Sequence, residues 1–309
     1  MSMNKAITVV GSINMDFTVL VDELPGLGST ITASGLHVTP GGKGANQAVA
    51  AAKLGSYVRL IARLGRDQNG LAAERSLKEA GVCIDHLEMG DDMSTGLAFI
   101  TVDGSGANTI VVYQGANGRL TPVDVARHSR AIREAGAVIA QLEVPLETVC
   151  YAFEAARSSG VMTVLNPAPA VALPDSLLGN TDLIMPNETE AAFLTGVEVV
   201  DAHTAQLAAR KLQLMGPARV VVTLGSKGAT YLGPEGALHH DAFKVDTVDS
   251  TAAGDSFIGA FVTRWLGGDE PGECLEFACA AGALTTTRIG AQESLPSYDE
   301  VRDLMTTLR

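Results

Sequence analysis

The sequence predicts an α/β fold in which a mostly parallel sheet carries helices on both faces and a small β-sheet forms a lid. Short apolar runs alternate with amphipathic segments along the chain, which is typical of strand–helix–strand units. Of the 309 residues, 33 are glycine and only 5% are aromatic, which suits many tight strand-to-helix turns. Two stretches instead alternate with a period of two and predict hairpins outside the main sheet.

Each element follows from its apolar pattern. Strands are predicted at residues 7–10, 58–62, 137–142, 162–165, 183–185 and 220–224. Helices are predicted at residues 44–54, 71–80, 146–158, 203–215 and 256–266. The period-two pattern, which includes Phe17, Val19 and Ile31, marks inserts at about residues 14–39 and 95–115. With no repeat and no linker, residues 1–309 are expected to form a single domain whose inserts build the lid.

The charge balance excludes some classes of protein. The net charge is -13, from 22 basic and 35 acidic residues, whereas a nucleic-acid binder needs a basic face. The four cysteines have neither metal nor redox spacing, and the short apolar stretch at residues 6–10 is too short for a signal or membrane segment. We therefore expect a cytoplasmic protein that binds neither nucleic acid nor membrane, and that binds anions through backbone dipoles or a cation.

Polar residues follow six predicted strands or strand-like segments. They are Asn14 and Asp16, Gln141 and Glu143, residues 166–169, residues 186–190, residues 223–228, and residues 249–255 after the segment at 245–248. Ligands of open α/β sheets bind beyond the carboxyl ends of the strands. The pattern therefore predicts one shared functional cleft.

Two loops of small residues are the most specific indications of a ligand site in the sequence. In the first, residues 251–255 lead into a helix, where free N–H groups and the helix dipole favour an anion. Asp255 is then either an ordinary first-turn acid or a general base beside an anion hole. The second, residues 40–47, fits neither a P-loop nor a dinucleotide fingerprint. It is either a helix-capping turn or a close approach to a polar ligand with Lys43 and Asn46 as donors.

These motifs resemble those of the ribokinase-like, or PfkB, family of carbohydrate kinases. One family motif matches residues 41–48, a second matches residues 249–257, and an Asn-x-x-Glu motif stands at residues 187–190. The resemblance covers essentially the whole chain and implies the family's three-layer α/β/α fold with a β lid. It also implies transfer of the γ-phosphate of ATP to a primary sugar hydroxyl, expected to be O5 of D-ribose. The pairing of Asn14 with Asp16 favours ribose over 2-deoxyribose.

The resemblance also implies roles for individual residues. Asp255 would be the general base, and Ala252, Ala253 and Gly254 would form the anion hole. The sugar would be held by Asn14, Asp16, Gly42, Lys43, Asn46, Glu143 and Asp255. The nucleotide would meet Asn187, Glu190, Thr223, Gly225, Ser226, Gly228, Gly254 and Cys279. Mg²⁺ would bridge the phosphates with Asn187 and Glu190 nearby, and K⁺ would lie at Asp249, Thr251, Thr285, Arg288, Gly290 and Ser294.

Some features leave alternatives open. Ile258, three residues after Asp255, departs from the common family pattern and places the choice between ribose and 2-deoxyribose in doubt, and Cys279 also departs from it. The resemblance implies a homodimer through the lid, with Phe17, Val19, Leu97 and Phe99 as contact candidates. The alternatives are a kinase of another sugar or a nucleoside, or a non-catalytic sugar-binding regulator. A dehydrogenase is disfavoured because the dinucleotide fingerprint is missing.

Overall fold

Strands and helices alternate along most of the chain. The computed structural model describes residues 6–105 and 107–307. The strands are β1 Ala6–Val10, β2 Asn14–Leu20, β3 Gly35–Gly41, β4 Val58–Gly65, β5 Leu87–Gly90, β6 Gly96–Val102, β7 Asn108–Tyr113, β8 Ala135–Ala140, β9 Met162–Leu165, β10 Leu183–Ile184, β11 Arg219–Thr223, β12 Ala229–Gly233 and β13 Gly236–His240. The helices are α1 Lys43–Lys53, α2 Gln68–Glu79, α3 Pro122–Arg127, α4 Ser129–Arg133, α5 Leu146–Ser158, α6 Asp175–Gly179, α7 Glu188–Thr195, α8 Ala202–Leu214, α9 Ala253–Gly267, α10 Pro271–Thr285 and α11 Tyr298–Thr307.

The main sheet has nine strands in the order β13-β12-β11-β10-β9-β8-β1-β4-β5. Its strands from β11 to β5 are parallel, and the hairpin of β12 and β13 adds an antiparallel edge. Parallel strands need both faces covered, so their sequences are apolar throughout. The predicted α/β class with a mostly parallel sheet is confirmed.

Alternate residues of each central strand pack into two separate cores. In β8, Ala137 and Ile139 join the core that contains residues of α1, α9 and α10. Val138 and Ala140 join the opposite core, which contains residues of α5 and α8. Because side chains of a strand point alternately to the two faces, the sheet lies between two helical layers. This is the three-layer arrangement that the sequence resemblance implies.

The two inserts meet in a second sheet of four strands, ordered β3-β2-β6-β7, which we call the lid. Strand β2 pairs antiparallel with β3 and parallel with β6, and β6 pairs antiparallel with β7. Asn14, the first residue of β2, lies opposite Gly41 on β3 and Gly96 on β6. The lid therefore rises from the point where β1 ends.

Two details of the predicted pattern are wrong. Ile31 lies in the loop between β2 and β3, and the second strand of that hairpin begins at Gly35. Residues 245–248 form a loop instead of a strand, because the Val248 N–H donates to the Thr286 carbonyl oxygen at 2.7 Å instead of to a neighbouring strand. In the described ranges, 6–105 and 107–307, no helix is long and apolar enough to cross a membrane.

Candidate active site

The polar residues predicted at the strand ends converge where β1, β8, β9, β10 and β11 reach their carboxyl ends. The first turns of α1 and α9 face the same place, because Asn46 and Gln47 of α1 both bond to Asp255 of α9. Helix starts and strand ends therefore meet in one cleft. The segment at 249–255 joins this cleft through a loop.

Asp255 lies at the centre of the cleft and is 7% exposed. Its Oδ2 accepts from Asn46 Nδ2 at 3.0 Å, and its Oδ1 accepts from Gln47 Nε2 at 2.9 Å. Burial raises the pKa of Asp255, whereas the Lys43 ammonium and the two amide donors lower it. The balance leaves the pKa above the ordinary carboxyl value, which suits a group that must accept a proton.

A glycine one turn further along α9 allows these bonds. A Cβ on Gly259 would come within 2.8 Å of the Ala50 Cβ and 2.9 Å of the Ala51 amide nitrogen, both on α1. The absence of a side chain lets the two helices approach closely enough for the Asn46 and Gln47 amides to reach Asp255. Ile258, adjacent to Gly259, is buried in the apolar core that includes residues of both helices.

Lys43 is surrounded by carboxylates. Burial by itself lowers its pKa, but Asp255, Glu143, Glu190 and Asp16 together outweigh burial and raise it. With four carboxylates around one ammonium, the ionised cleft is negatively charged and repels a polyanion. A phosphate donor therefore needs backbone amides and a cation to neutralise it here.

The Glu143 carboxylate binds the first amide of α1. Its Oε2 accepts from the Ser12 hydroxyl and, at 3.1 Å, from the Lys43 amide. The Gly44 amide donates to the Ser12 hydroxyl at 3.3 Å. Because the free N–H groups of a helix start favour negative charge, Glu143 holds this turn in place. The family resemblance implies that Glu143 binds the sugar, and the structure shows that it also binds Ser12 and the Lys43 amide.

Asn14 and Asp16 project from the root of the lid, and glycines leave room for both. A Cβ on Gly41 would come within 2.0 Å of Asp16 Oδ2, and one on Gly96 within 2.4 Å of Asn14 Oδ1. Gly42 has φ of 90° and its missing Cβ would lie 2.7 Å from the Asn14 amide nitrogen. Asp16 Oδ1 is buried without a hydrogen-bond partner, so it is free to accept from a ligand hydroxyl.

Asn117 is a site residue that sequence reasoning missed. Its Oδ1 accepts from the Ile13 amide at 2.8 Å, and its Nδ2 donates to the Ile13 carbonyl and, at 2.7 Å, to Asn14 Oδ1. These bonds fix the chain where it turns from β1 into the lid. The signal was a single asparagine just after the second insert, with no motif around it.

The residues predicted to form an anion hole, Ala252, Ala253 and Gly254, lie at the start of α9. Ala252 precedes the helix with φ of 60°, a left-handed conformation that costs a non-glycine residue about 1–2 kcal/mol. The Ala253 N–H donates to the Ser250 carbonyl at 3.3 Å, so it is turned toward the loop. The Gly254 N–H belongs to the first turn, where a helix offers no internal acceptor. A Cβ on Gly254 would meet no atom within 4 Å, so space remains beside this residue.

Asn187 and Glu190 bind each other at the start of α7. Asn187 Oδ1 accepts from the Glu190 amide at 2.8 Å, and Glu190 Oε2 accepts from the Asn187 amide at 2.9 Å. Asn187 Nδ2 also donates to Glu190 Oε1 at 3.1 Å. Burial raises the pKa of Glu190, and Lys43 lowers it. Both carboxylate oxygens are engaged, so this pair fits contact with a bound Mg²⁺ through water.

The remaining residues predicted for the nucleotide end or follow β11, except Cys279, which lies in α10. Thr223 ends β11 beside Asn187, and residues 225–228 form a tight turn in which Gly225 and Gly228 have positive φ. Cys279 is buried on α10, and burial raises the pKa of its thiol to about 12. The thiol therefore stays protonated at neutral pH and packs as a small apolar group.

Of the residues predicted to hold a monovalent cation, Asp249, Thr251 and Gly290 are brought into contact. Asp249 Oδ1 accepts from the Thr251 amide, and its Oδ2 accepts from the Gly290 amide, each at 2.9 Å. The side chains of Thr285, Arg288 and Ser294 bond elsewhere, to Ala281, Glu300 and Ala291. Within the part of the chain that the structure describes, no three His, Cys, Asp or Glu side chains form a metal cage.

A cleft with a buried carboxylate at a helix start and a second sheet rooted beside it is typical of α/β kinases that act on small polar substrates. The sequence profile of the pfkB family of carbohydrate kinases matches residues 4–298. The chain belongs to this family.

Relatives and solved structures agree with that membership over nearly the full length. The chain is 40% identical over 303 residues to a ribokinase of Haemophilus influenzae, covering 98% of this chain and 99% of that protein. It is 35% identical over 300 residues to a deoxyribokinase of Salmonella typhi, covering 97% and 98%. The structure of Arabidopsis thaliana ribokinase complexed with ribose and ATP is similar with a TM-score of 0.91 and 32% identity, covering 97% and 98%.

Proposed function

We propose that this chain is an ATP-dependent ribokinase that transfers the γ-phosphate of ATP to O5 of D-ribose. The observation that carries the proposal is the Asp255 carboxylate, buried at the start of α9 and held by Asn46 and Gln47. Family membership and full-length similarity to ribokinases support the same activity.

The residues of the cleft suit each part of the reaction. Ribose lies between the lid root and α1, where the buried Asn14 and Asp16 meet its ring hydroxyls. Asp255 removes the proton from O5 as that oxygen attacks the γ-phosphorus, and the bond from phosphorus to the β–γ bridging oxygen breaks to release ADP. The amides at the start of α9 neutralise the transferring phosphoryl group. Asn187 and Glu190 would hold Mg²⁺ through water, and the ion would supply positive charge that neutralises the phosphates.

The test is an ATP-consumption assay with ribose, 2-deoxyribose, fructose and adenosine. We expect ribose to be preferred, because a site that is built for a hydroxyl leaves a buried polar group unpaired when that hydroxyl is missing. The second candidate is a 2-deoxyribose kinase, favoured by the similarity to a deoxyribokinase. Higher kcat/KM for 2-deoxyribose would establish that candidate. Sugar binding without any turnover would identify a non-catalytic regulator.

We expect K⁺ to raise kcat, because the loop that carries the anion hole is tied to the Gly290 loop through Asp249. A cation held by carbonyl oxygens of these loops would fix the start of α9. Asp249→Asn should remove most of the activation, since it deletes the charge and one acceptor. Initial rates with KCl against NaCl measure this, and Asp246→Asn, in an exposed part of the same loop, is the control. Equal K⁺ activation in both variants would contradict the proposed site.

The outer face of the lid supports a homodimer. Val38, Phe17, Phe99 and Val111 pair in register across all four strands, and Phe17 stacks on Phe99 with ring centroids 5.7 Å apart. Being one residue from Asp16 in β2, this row lies on the face opposite that of Asp16. Val111 is 67% exposed and Phe99 47% exposed. An exposed apolar row on a sheet is typical of a surface that a partner covers.

We expect the wild type to sediment as a dimer and Val111→Lys as a monomer, because two desolvated lysines would lie at the lid contact. Leu207→Lys is the control, since Leu207 is an exposed apolar residue on α8, outside the lid. Analytical ultracentrifugation at several concentrations gives the dissociation constants. A Val111→Lys protein that dimerises like Leu207→Lys would place the interface elsewhere.

A further inference from the structure

A chain of buried side-chain amides runs from two strand ends to Asp255. Gln141, which follows β8, donates from Nε2 to Gln47 Oε1 at 2.6 Å. Gln47 donates from Nε2 to Asp255 Oδ1 at 2.9 Å and to Asn166 Oδ1, after β9, at 3.1 Å. Gln47 and Gln141 are fully buried and Asn166 is 7% exposed. Such a network holds its members in one arrangement because each unmade bond would be costly.

The two acceptors at the ends of this network fix the orientation of each of its amides. A carboxylate oxygen only accepts, so the Gln47 atom facing Asp255 must be the nitrogen. Asn166 Nδ2 donates to the Met185 carbonyl at 3.1 Å, which also only accepts, so Asn166 must turn its oxygen to Gln47. Both ends therefore require the same orientation of Gln47. Its oxygen then faces Gln141, which must present its own nitrogen.

The arrangement leaves one acceptor unsatisfied. Gln141 Oε1 is buried without a hydrogen-bond partner, although an unmade bond of this kind costs about 1–3 kcal/mol. It lies where a Cβ on Gly11 would come within 2.2 Å of it. Rotating the Gln141 amide would set two oxygens against each other at Gln47. The three side-chain amides therefore keep the orientation that supplies Asp255 with a donor.

We propose that Gln47, held in orientation by Gln141 and Asn166, is a positioning residue that fixes the Asp255 carboxylate for proton removal from the sugar. This inference rests on the proposed kinase function. Asn46 holds Oδ2 and Gln47 holds Oδ1, so the plane of the carboxylate is set from two sides. Because Gln47 is fully buried behind the carboxylate, it acts through Asp255.

The experiment compares Gln47→Met and Gln141→Met with the wild type at saturating ribose, with the ATP concentration varied up to saturation. Methionine keeps the length of the side chain and removes the amide. Gln47→Met should lower kcat about 100-fold, the size of effect that a misplaced reacting group has, with the KM for ATP within about threefold. Gln141→Met should lower kcat less, about tenfold, because Gln47 keeps its donor but loses the partner that orients it. Wild-type turnover measured first tests the kinase function separately.

The pH profile separates positioning from mere stability. Without the Gln47 donor the ionised form of Asp255 is less stabilised, so its pKa rises and the acid limb of the kcat profile moves to higher pH. Thr181→Val is the control, because it removes a buried bond from Thr181 to the Leu177 carbonyl at the amino end of β10, away from the cleft. It should lower thermal stability with an unmoved acid limb.

Either of two results would overturn the proposal. One is that Gln47→Met keeps kcat within about threefold of the wild type, scaled to folded protein by circular dichroism. The other is a decrease in the kcat of Gln47→Met by the same factor at every pH, which is what a merely unstable protein would show. If Gln47→Met does not fold, Gln141→Met decides alone, and an unchanged kcat with an unmoved acid limb in that variant would reject the positioning role.

Discussion

Asp255→Asn is expected to lower kcat about a thousandfold, within the range that general-base catalysis contributes. Asparagine has the shape of aspartate but does not take the proton from the attacking hydroxyl. Its amide nitrogen would also face either the Asn46 or the Gln47 donor. Ribose and ATP should still bind with dissociation constants near those of the wild type. Steady-state kinetics and calorimetric titration measure the two parts separately.

The control for this variant is Asp124→Asn. Asp124 is a carboxylate that is 4% exposed and bonds to Thr121 and Arg127 in α3, away from the cleft. Its replacement should affect stability while leaving kcat per folded molecule unchanged. If Asp255→Asn retained more than about a tenth of wild-type kcat, Asp255 would not be the base. The carboxylates near Lys43 would then need a role other than proton removal.

Periodicity in the sequence was sufficient to locate most of the sheet and its helices. The predicted strand at 162–165 and helix at 146–158 coincide with β9 and α5. Apolar runs are informative there because parallel strands are buried on both faces. The lid also followed from the pattern, since its strands have one exposed face. The edge hairpin β12–β13 was not predicted, because seven of its ten residues are exposed or partly exposed.

Within the site, sequence reasoning placed Gln141 and Asn166 at the predicted cleft and Gln47 in a motif loop, but it did not predict the hydrogen bonds that connect them to Asp255. Gln47 and Asp255 are 208 residues apart in the chain, so no local spacing links them. An amide acts here because the fold buries it next to a carboxylate, and burial of a polar residue cannot be inferred from its own identity. The same holds for Asn117, which matters because it meets both Ile13 and Asn14.

Asp16 should make the ligand-free protein less stable as pH rises. Burial first, then the nearby Glu143 and Asp255, raise its pKa to about 7, and Lys43 lowers it. Since the pKa of the folded state lies above the ordinary value of 3.8, folding takes up a proton between these two values. The folded state is therefore favoured least once pH exceeds about 7. The unpartnered oxygen of this buried carboxylate suits the proposed role of Asp16, in which a sugar hydroxyl donates to it.

Asp16→Asn removes this ionisation, and its effects on stability and on binding should have opposite signs. The stability gain is the unfolding free energy of the ligand-free variant minus that of the wild type. This gain should be larger at pH 8 than at pH 5, by on the order of 2 kcal/mol, because of the pKa difference. Ribose binding should weaken about 10- to 100-fold, because a hydrogen bond to a charged acceptor is lost. Urea unfolding at the two pH values and calorimetric titration with ribose measure both. A variant with the same gain at pH 5 and pH 8 would mean that Asp16 is ionised throughout, and undiminished ribose affinity would mean that the lid root holds no sugar hydroxyl.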